Sequence, residues 1–271
     1  MIVVKKKIMY AAIGIIIAIV VISVALIQAT SGGANPALDN EAVPQQTLST
    51  LYGIANNYQM ANLIGVGAAG NPPLKTGDTT VLKVNGKPAV IYVGADYCPY
   101  CAATRWALIL ALDRFGNFSS LHYMTSSSSD FAHNTATFTF FNSSYSSPYI
   151  TFESVEELTN VYPYKVLQVP NQLENSTFDA FDLNFSALPA DERGGIPFID
   201  FGNITVQDGA EYDPLLINKY SWDTIIGYLK NENSTVAQSI IGNANEFTVQ
   251  ICKAINNSAS VCKQQFVKNL E

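Results

Sequence analysis

Two cysteines with two residues between them divide a strand-forming run from a helix-forming one. No other stretch of the chain restricts the fold so tightly. Ala89-Val90-Ile91-Tyr92-Val93 is apolar and largely β-branched, and Ala102–Arg114 is rich in Ala and Leu with no Gly or Pro. The first composition suits a buried strand and the second a helix. Gly94-Ala95-Asp96-Tyr97-Cys98-Pro99-Tyr100-Cys101 joins them. Upstream, Val81-Leu82-Lys83-Val84 leads into Asn85-Gly86, a strong hairpin signal. The order is hairpin, strand, Cys-Pro-Tyr-Cys, helix.

That placement gives the two thiols different chemistry. Cys98 falls at the helix N-terminus, where unpaired N–H groups and the macrodipole favour a thiolate. Pro99 suits the first turn, because its missing N–H would find no partner there anyway. Cys101 lies one turn further in, close enough to bridge Cys98. An exposed, low-pKa thiol attacks a disulfide and a buried one resolves the product, so Cys98 is the expected nucleophile and Cys101 the expected resolving thiol. Two other readings stay open: a static Cys98–Cys101 bridge, and a zinc site that adds Cys252 and Cys262. The second pair lacks the short ligand spacing of a zinc ribbon, and no metal is expected. Cys252 and Cys262, ten residues apart, instead read as a structural disulfide clipping the tail to the last helix. A 15-residue loop contributes about 3 kcal/mol in the entropy account, and this shorter one somewhat less.

The rest of the chain is less distinct. Residues 46–62 suggest one amphipathic helix. Leu121–Thr125 reads as a strand closing a strand–helix–strand unit, followed by strands at Ala136–Phe141 and Tyr149–Phe152 and a helix around Ser154–Asn160. Gly194-Gly195-Ile196-Pro197-Phe198-Ile199-Asp200-Phe201 is a strand that opens on a proline. The Ile196-Pro197 pair is either an edge device or a cis-proline turning the Ile196 backbone toward the Cys98 sulfur, where an extended peptide could pair with it. Ser221 caps a helix with Trp222, Ile225, Ile226 and Leu229 on one face. Thr235–Ile255 is a further helix, interrupted at Gly242. His122 and His133 read as structural or surface residues. Asp96 reads as a polar residue at the helix entry, with a buried proton acceptor as the alternative.

Location is written in the first 45 residues. Ile8 through Ile27 is a 20-residue run without a charge, preceded by Lys5, Lys6 and Lys7. That length crosses a bilayer as a helix, and the lysines place residues 1–7 inside and the main domain outside. A cleaved signal peptide usually has a shorter apolar stretch. Residues 28–45 read as a linker and 46–271 as one extracytoplasmic domain. Charged residues are only 14% of the chain, with 22 acidic against 15 basic. Such a balance disfavours nucleic acid as a partner. The polarity comes instead from 23 Asn, 21 Ser and 18 Thr. Sequons at Asn117, Asn142, Asn175, Asn184, Asn203, Asn233 and Asn256 fit a glycosylated exterior.

Taken together, the strand, the Cys-Pro-Tyr-Cys helix and the later Ile-Pro strand resemble the thioredoxin superfamily. The tetrad is similar to that of glutaredoxins, and the 96-residue interval from Cys101 to Pro197 is similar to the insertion in periplasmic disulfide-forming oxidases. A membrane-anchored, thioredoxin-like family of archaea and actinobacteria, known as a domain of unknown function, resembles the chain more closely over Thr79 to Cys262. The resembling pieces are NGKPAVIYVGADYCPYC, GGIPFIDFGN, SWDTII, VAQSIIGNANEFT and the spaced Cys252/Cys262 pair. The resemblance implies an α/β thioredoxin-like fold with a large insertion and a helical C-terminus. The expected activity is a membrane-tethered thiol–disulfide oxidoreductase acting on exported or cell-surface proteins, with a separate redox partner and no cofactor. A non-enzymatic glycosylated surface binding module on the same scaffold is the alternative.

Overall fold

The computed structural model describes residues 33–271, so the basic tail and the apolar run Ile8–Ile27 lie outside the described residues. Among the described residues no helix is long and apolar enough to cross a membrane. In chain order the elements are α1 (Gln45–Ala55), α2 (Tyr58–Ile64), β1 (Leu74–Lys75), β2 (Lys83–Val84), β3 (Lys87–Gly94) and α3 (Pro99–Leu112). Then come β4 (Asn117–Thr125), β5 (Ala136–Ser146), β6 (Thr151–Glu156), α4 (Gln172–Phe178), β7 (Phe198–Phe201) and β8 (Thr205–Asp208). The C-terminal part is α5 (Trp222–Tyr228), α6 (Thr235–Ala254) and α7 (Gln265–Leu270).

Strand β3 is the axis. It pairs parallel with β6 on one side and antiparallel with β7 on the other, and β8 and β1 extend the sheet beyond β7. Asn85 and Gly86, both at positive φ, turn β2 into β3. Because side chains alternate along a strand, β3 feeds two cores. Val90 and Tyr92 join α3 and α6 on one face, while Ala89, Ile91 and Val93 meet Val155, Phe198 and Phe185 on the other. The result is a mixed sheet covered by helices on both faces.

Helix α3 is buried along almost its whole circumference, as expected of a helix apolar on every side. Its backbone carbonyls serve as anchors: Tyr212 Oη donates to Ala103 O at 2.6 Å, and Thr137 Oγ1 to Ala102 O at 2.8 Å. Trp106 Nε1 donates to Ala136 O at 2.8 Å. These bonds fix the antiparallel β4–β5 hairpin and the segment before α5 against α3.

Four expectations give way to tertiary context. The stretch expected to be a helix around Ser154–Asn160 begins as strand β6, because the exposed edge of β3 offers a parallel partner that buries Val155 and Glu156. The Leu121–Thr125 strand is part of the longer β4, but it pairs with β5 in a separate two-stranded sheet; β6 is the strand that returns beside β3. The helix expected over 46–62 is two helices, since Asn57 caps α2 by accepting from Met60 N at 3.1 Å. Gly242 does not interrupt α6. A Cβ there would come within 2.2 Å of Val66 O, so the glycine admits the loop after α2 to the helix surface.

Within the stretch 28–45 expected to be a linker, residues 40–43 pack on the domain. Asn40 N and Val43 N donate to Tyr123 O and Leu121 O, and Tyr123 N donates to Glu41 O. The free edge of β4 takes up this segment, and Val43 enters the core. Cys252 and Cys262 are joined in a disulfide that ties α6 to a short 3₁₀ turn, Ser260–Lys263.

Several buried acids face no cation. Burial pushes Asp200 up to about 7; N–H bonds from Asn203 and Gly202 oppose the rise and Asp78 adds to it. Glu211 is pushed to about 10, by burial first and then by Glu246 beside it, with Asn243 opposing. Both folded-state values exceed those of free carboxyls, so the folded state holds protons the unfolded chain would lose. The contribution is complete below about pH 4 and is lost as pH rises through each folded value. Denaturant unfolding should therefore show stability falling by several kcal/mol from acid to neutral pH. Asp200→Asn should flatten the part of the fall that ends near pH 7. Gly242→Ala should lower stability by about 1–3 kcal/mol despite alanine's better helix propensity, because the added methyl meets backbone.

Candidate functional site

Pairing with β6 and β7 carries β3 straight to Gly94, and the chain then turns through Ala95-Asp96-Tyr97 into α3. Asp96 N donates to Leu158 O, and Ser127 N donates to Tyr97 O, both at 2.9 Å, so two neighbouring loops hold this turn. Tyr97 stacks on Tyr164 with ring centroids 4.4 Å apart. On the other side of the tetrad Tyr100 lies 5.5 Å from Phe131.

Cys98 is the N-cap of α3, with extended backbone, and Pro99 occupies the first helical position. Its sulfur accepts from Cys101 N at 3.2 Å. Both thiols are free. The Cys98 pKa is lowered, chiefly by a hydrogen bond from the Cys101 thiol; burial opposes, while the N–H groups of Cys101 and Tyr100 and the charge of Arg105 assist. Burial pushes Cys101 well above the ordinary thiol range, and the Cys98 sulfur adds to the effect. The two thiols are thus strongly unequal. Cys98 is nonetheless only 4% exposed, where the sequence suggests an exposed thiol. Part of its cover is the backbone of Ile196, whose carbonyl accepts from Cys98 Sγ at 3.7 Å.

Ile196-Pro197 is in the cis form, the second of the two readings its sequence left open. It stands just ahead of β7, and β7 is the antiparallel neighbour of β3. Cys98, Cys101, Ile196 and Pro197 therefore converge across adjacent strands. Cys252 and Cys262 bond to each other instead, which leaves no four-cysteine set. Among the described residues no cluster of His, Cys, Asp and Glu has a metal-binding arrangement. His122 is half-buried on β4 and His133 is exposed in a loop. Six of the sequon asparagines are exposed; Asn203 is half-buried in the β7–β8 turn, with its amide oxygen enclosed.

Beneath the tetrad is a charged cluster the sequence does not announce. Arg105, fully buried on α3, donates to Glu156 through Nε at 2.8 Å and Nη2 at 2.6 Å, and to Ala95 O at 2.8 Å. Asp96 Oδ1 lies 3.7 Å from the same Nη2. Asp96 is not the helix-entry residue, a place taken by Cys98. It is a buried acid, 2% exposed. Burial and the charge of Glu156 push its pKa to about 7 against the pull of Arg105 and a Thr139 hydrogen bond. Tyr92, buried with its hydroxyl unpartnered, carries the Arg105 guanidinium 5.9 Å over its ring. One signal for this cluster was available: Arg105 is the single charged residue in an otherwise apolar helix. Glu156 had none, because its segment reads as a helix.

Residues 77–253 match the family described as "Domain of unknown function (DUF929)", and the chain belongs to that family. No curated protein and no solved structure matches the chain.

Removing one partner of a buried, bidentate ion pair leaves the other charge without compensation. Glu156→Gln should therefore cost about 3–5 kcal/mol in denaturant unfolding. Glu156→Gln combined with Arg105→Met should recover much of the loss.

Proposed function

We propose that this protein is a thiol–disulfide oxidoreductase on a thioredoxin-like fold, tethered to the membrane by residues 8–27 and acting on exported or cell-surface proteins. The observation that carries the reading is the convergence of Cys98 at a helix N-terminus, Cys101 one turn behind it, and the Ile196 carbonyl on the Cys98 sulfur. A strand running parallel to one neighbour and antiparallel to the other, leading into that helix and flanked by a cis-proline strand, supports the thioredoxin-like assignment. The Asn-rich exterior and its exposed sequons fit a glycosylated extracytoplasmic surface.

The chemistry follows from the inequality of the two thiols. The Cys98 thiolate attacks one sulfur of a substrate disulfide, forming a mixed disulfide and releasing the other substrate sulfur as a thiolate. Cys101 then gives up its proton, and its thiolate attacks the Cys98 sulfur. A Cys98–Cys101 disulfide forms and the second substrate thiolate leaves. Two electrons pass from the dithiol to the substrate, and the same steps in reverse oxidise a substrate dithiol. The high Cys101 pKa makes proton removal the demanding step. The Arg105–Glu156 pair beneath the tetrad acts on that step: the charge of Arg105 pulls the Cys101 pKa down and that of Glu156 raises it. An extended substrate backbone pairs beside Ile196, as in strand addition, which displaces the cover over Cys98.

Cys101→Ser in the full-length protein should accumulate mixed disulfides at Cys98, and Cys98→Ser should abolish them. Non-reducing mass spectrometry of protein purified from cells measures both. Recovery of no disulfide-linked partner, with Cys98 free and alkylatable, would overturn the oxidoreductase reading in favour of a surface binding module.

A further inference from the structure

Past β6 the chain forms a narrow hairpin that the dithiol chemistry does not use. Leu167 N donates to Glu157 O at 2.8 Å and Thr159 N to Lys165 O at 2.9 Å, while Leu158 and Val166 pair across it. Lys165 N also donates to Thr159 Oγ1 at 3.0 Å. Val161, Tyr162 and Val166 are 69, 71 and 69% exposed, and Val169 just beyond is 79% exposed. Exposures so high on neighbouring apolar residues belong to a tip that projects from the surface, not to the wall of a cleft. A patch of this kind, held in place by hydrogen bonds, marks an interaction site.

The base of the hairpin is tied to two other parts of the domain. Asn160 Nδ2 donates to Asp39 Oδ2 at 2.7 Å and to Thr125 O at 2.9 Å, and Thr125 Oγ1 donates to the same Asp39 oxygen at 2.8 Å. Asp39 lies 12 positions after Ile27, the last residue of the apolar run. Whatever the conformation between them, that separation is at most about 40 Å. On the other side Tyr164 stacks on Tyr97, the neighbour of Cys98. Charge also sets the hairpin apart. The described residues hold all 22 acids of the chain and only 12 of its 15 bases, yet from Leu158 to Gln172 the single charge is Lys165.

We propose that hairpin 158–167 docks into the surface of the lipid bilayer, with Val161, Tyr162 and Val166 among the upper acyl chains and Lys165 reaching back to the headgroups. The proposal rests on the reading of Ile8–Ile27 as a membrane span, and not on the dithiol chemistry. Tyrosine favours the boundary between water and lipid, and lysine lays its stem over apolar surface while its charge stays in water. A projecting apolar tip suits lipid, whereas an extended peptide needs a groove or an open strand edge. The tether keeps lipid at a high effective concentration, so even weak insertion stays occupied. The acid-free hairpin is also the part of an acidic domain that an anionic bilayer does not repel. Once it is docked, the Tyr164–Tyr97 stack holds Cys98 close to the membrane surface.

The test uses the full chain, with Cys98→Ser and Cys101→Ser, in phosphatidylcholine nanodiscs that contain a doxyl-labelled lipid. A nitrobenzoxadiazole label is attached at Val161→Cys or, as the control, at Leu63→Cys on α2, where the leucine is 65% exposed. The lipid-borne quencher should act at least about threefold more strongly at position 161 than at position 63, and aqueous iodide should show the opposite preference. Tyr162→Asp with Val166→Asp should remove the difference. Equal quenching at the two positions, or a difference that survives the two aspartates, would overturn the proposal. So would a label at 161 that iodide reaches in the bilayer and that is shielded only when reduced, unfolded ribonuclease A is added, which assigns the hairpin to polypeptide. Extraction of the chain by alkaline carbonate would refute the membrane span by itself. The hairpin is then read from the extracted chain on phosphatidylcholine vesicles: sedimentation about fivefold weaker for the two-aspartate variant upholds docking, and equal sedimentation overturns it.

Discussion

The bidentate Arg105–Glu156 pair is the interaction on which the site's geometry rests. It joins the helix that begins at Cys98, the strand parallel to β3, and the turn carrying Asp96 and Tyr97. Such a pair is an uncertain source of net stability, because desolvation offsets much of the attraction. Its value here is positional. A guanidinium fork accepts a carboxylate in few orientations, so α3 cannot slide against β6 without losing both bonds. The same charge reaches Cys98 and Asp96. A single side chain thereby fixes the height of the dithiol above the sheet and pulls down the pKa of the acid and the thiol beside it.

The domain is sparing with cations. Among the described residues the ion pairs within 4 Å all belong to Arg105, with Asp96 and Glu156. Asp113, Asp200 and Glu211 sit in the interior without a basic partner, and Arg114 sits there without an acidic one. Polar satisfaction comes instead from backbone carbonyls meeting Trp, Tyr, Thr and Asn side chains. This suits a chain that is 14% charged: hydroxyl and amide groups keep their hydrogen bonds over a wide pH range, while a buried carboxyl must change state.

Much of the architecture was legible where local and tertiary preferences agree. The Asn-Gly hairpin, the buried strand, the Cys-Pro-Tyr-Cys helix and the Ser221 cap all lie where propensity puts them. Failures cluster where packing decides. Ser154-Val155-Glu156-Glu157 has helical composition, yet the open flank of β3 makes it a strand. Gly242 looks like a breaker because the cost of glycine is local, whereas its benefit, the approach of Val66, comes from 176 positions earlier in the chain. Of the site, Cys98, Cys101, Ile196 and Pro197 could be picked out by residue type alone. Asp96 is conspicuous by type, but neither its burial nor the return of Glu156 beside it is written locally. The capping box of Asn171 and Glu174 that starts α4, by contrast, is written locally, in an N-cap asparagine and a glutamate three residues on.

The docking of residues 40–43 on β4 also governs reach. On the reading that Ile8–Ile27 spans the bilayer, the tether available to the domain is not the 18 residues of composition-defined linker. The Asn35-capped turn Pro36–Leu38 already belongs to the domain, so about seven residues separate it from the apolar run, and seven residues of any conformation span at most about 25 Å. On the proposed reading, a leash so short would hold the dithiol within a narrow shell above the lipid, where proteins emerging through the membrane would meet it and those already released would not. Selection by altitude would then precede any selection by sequence.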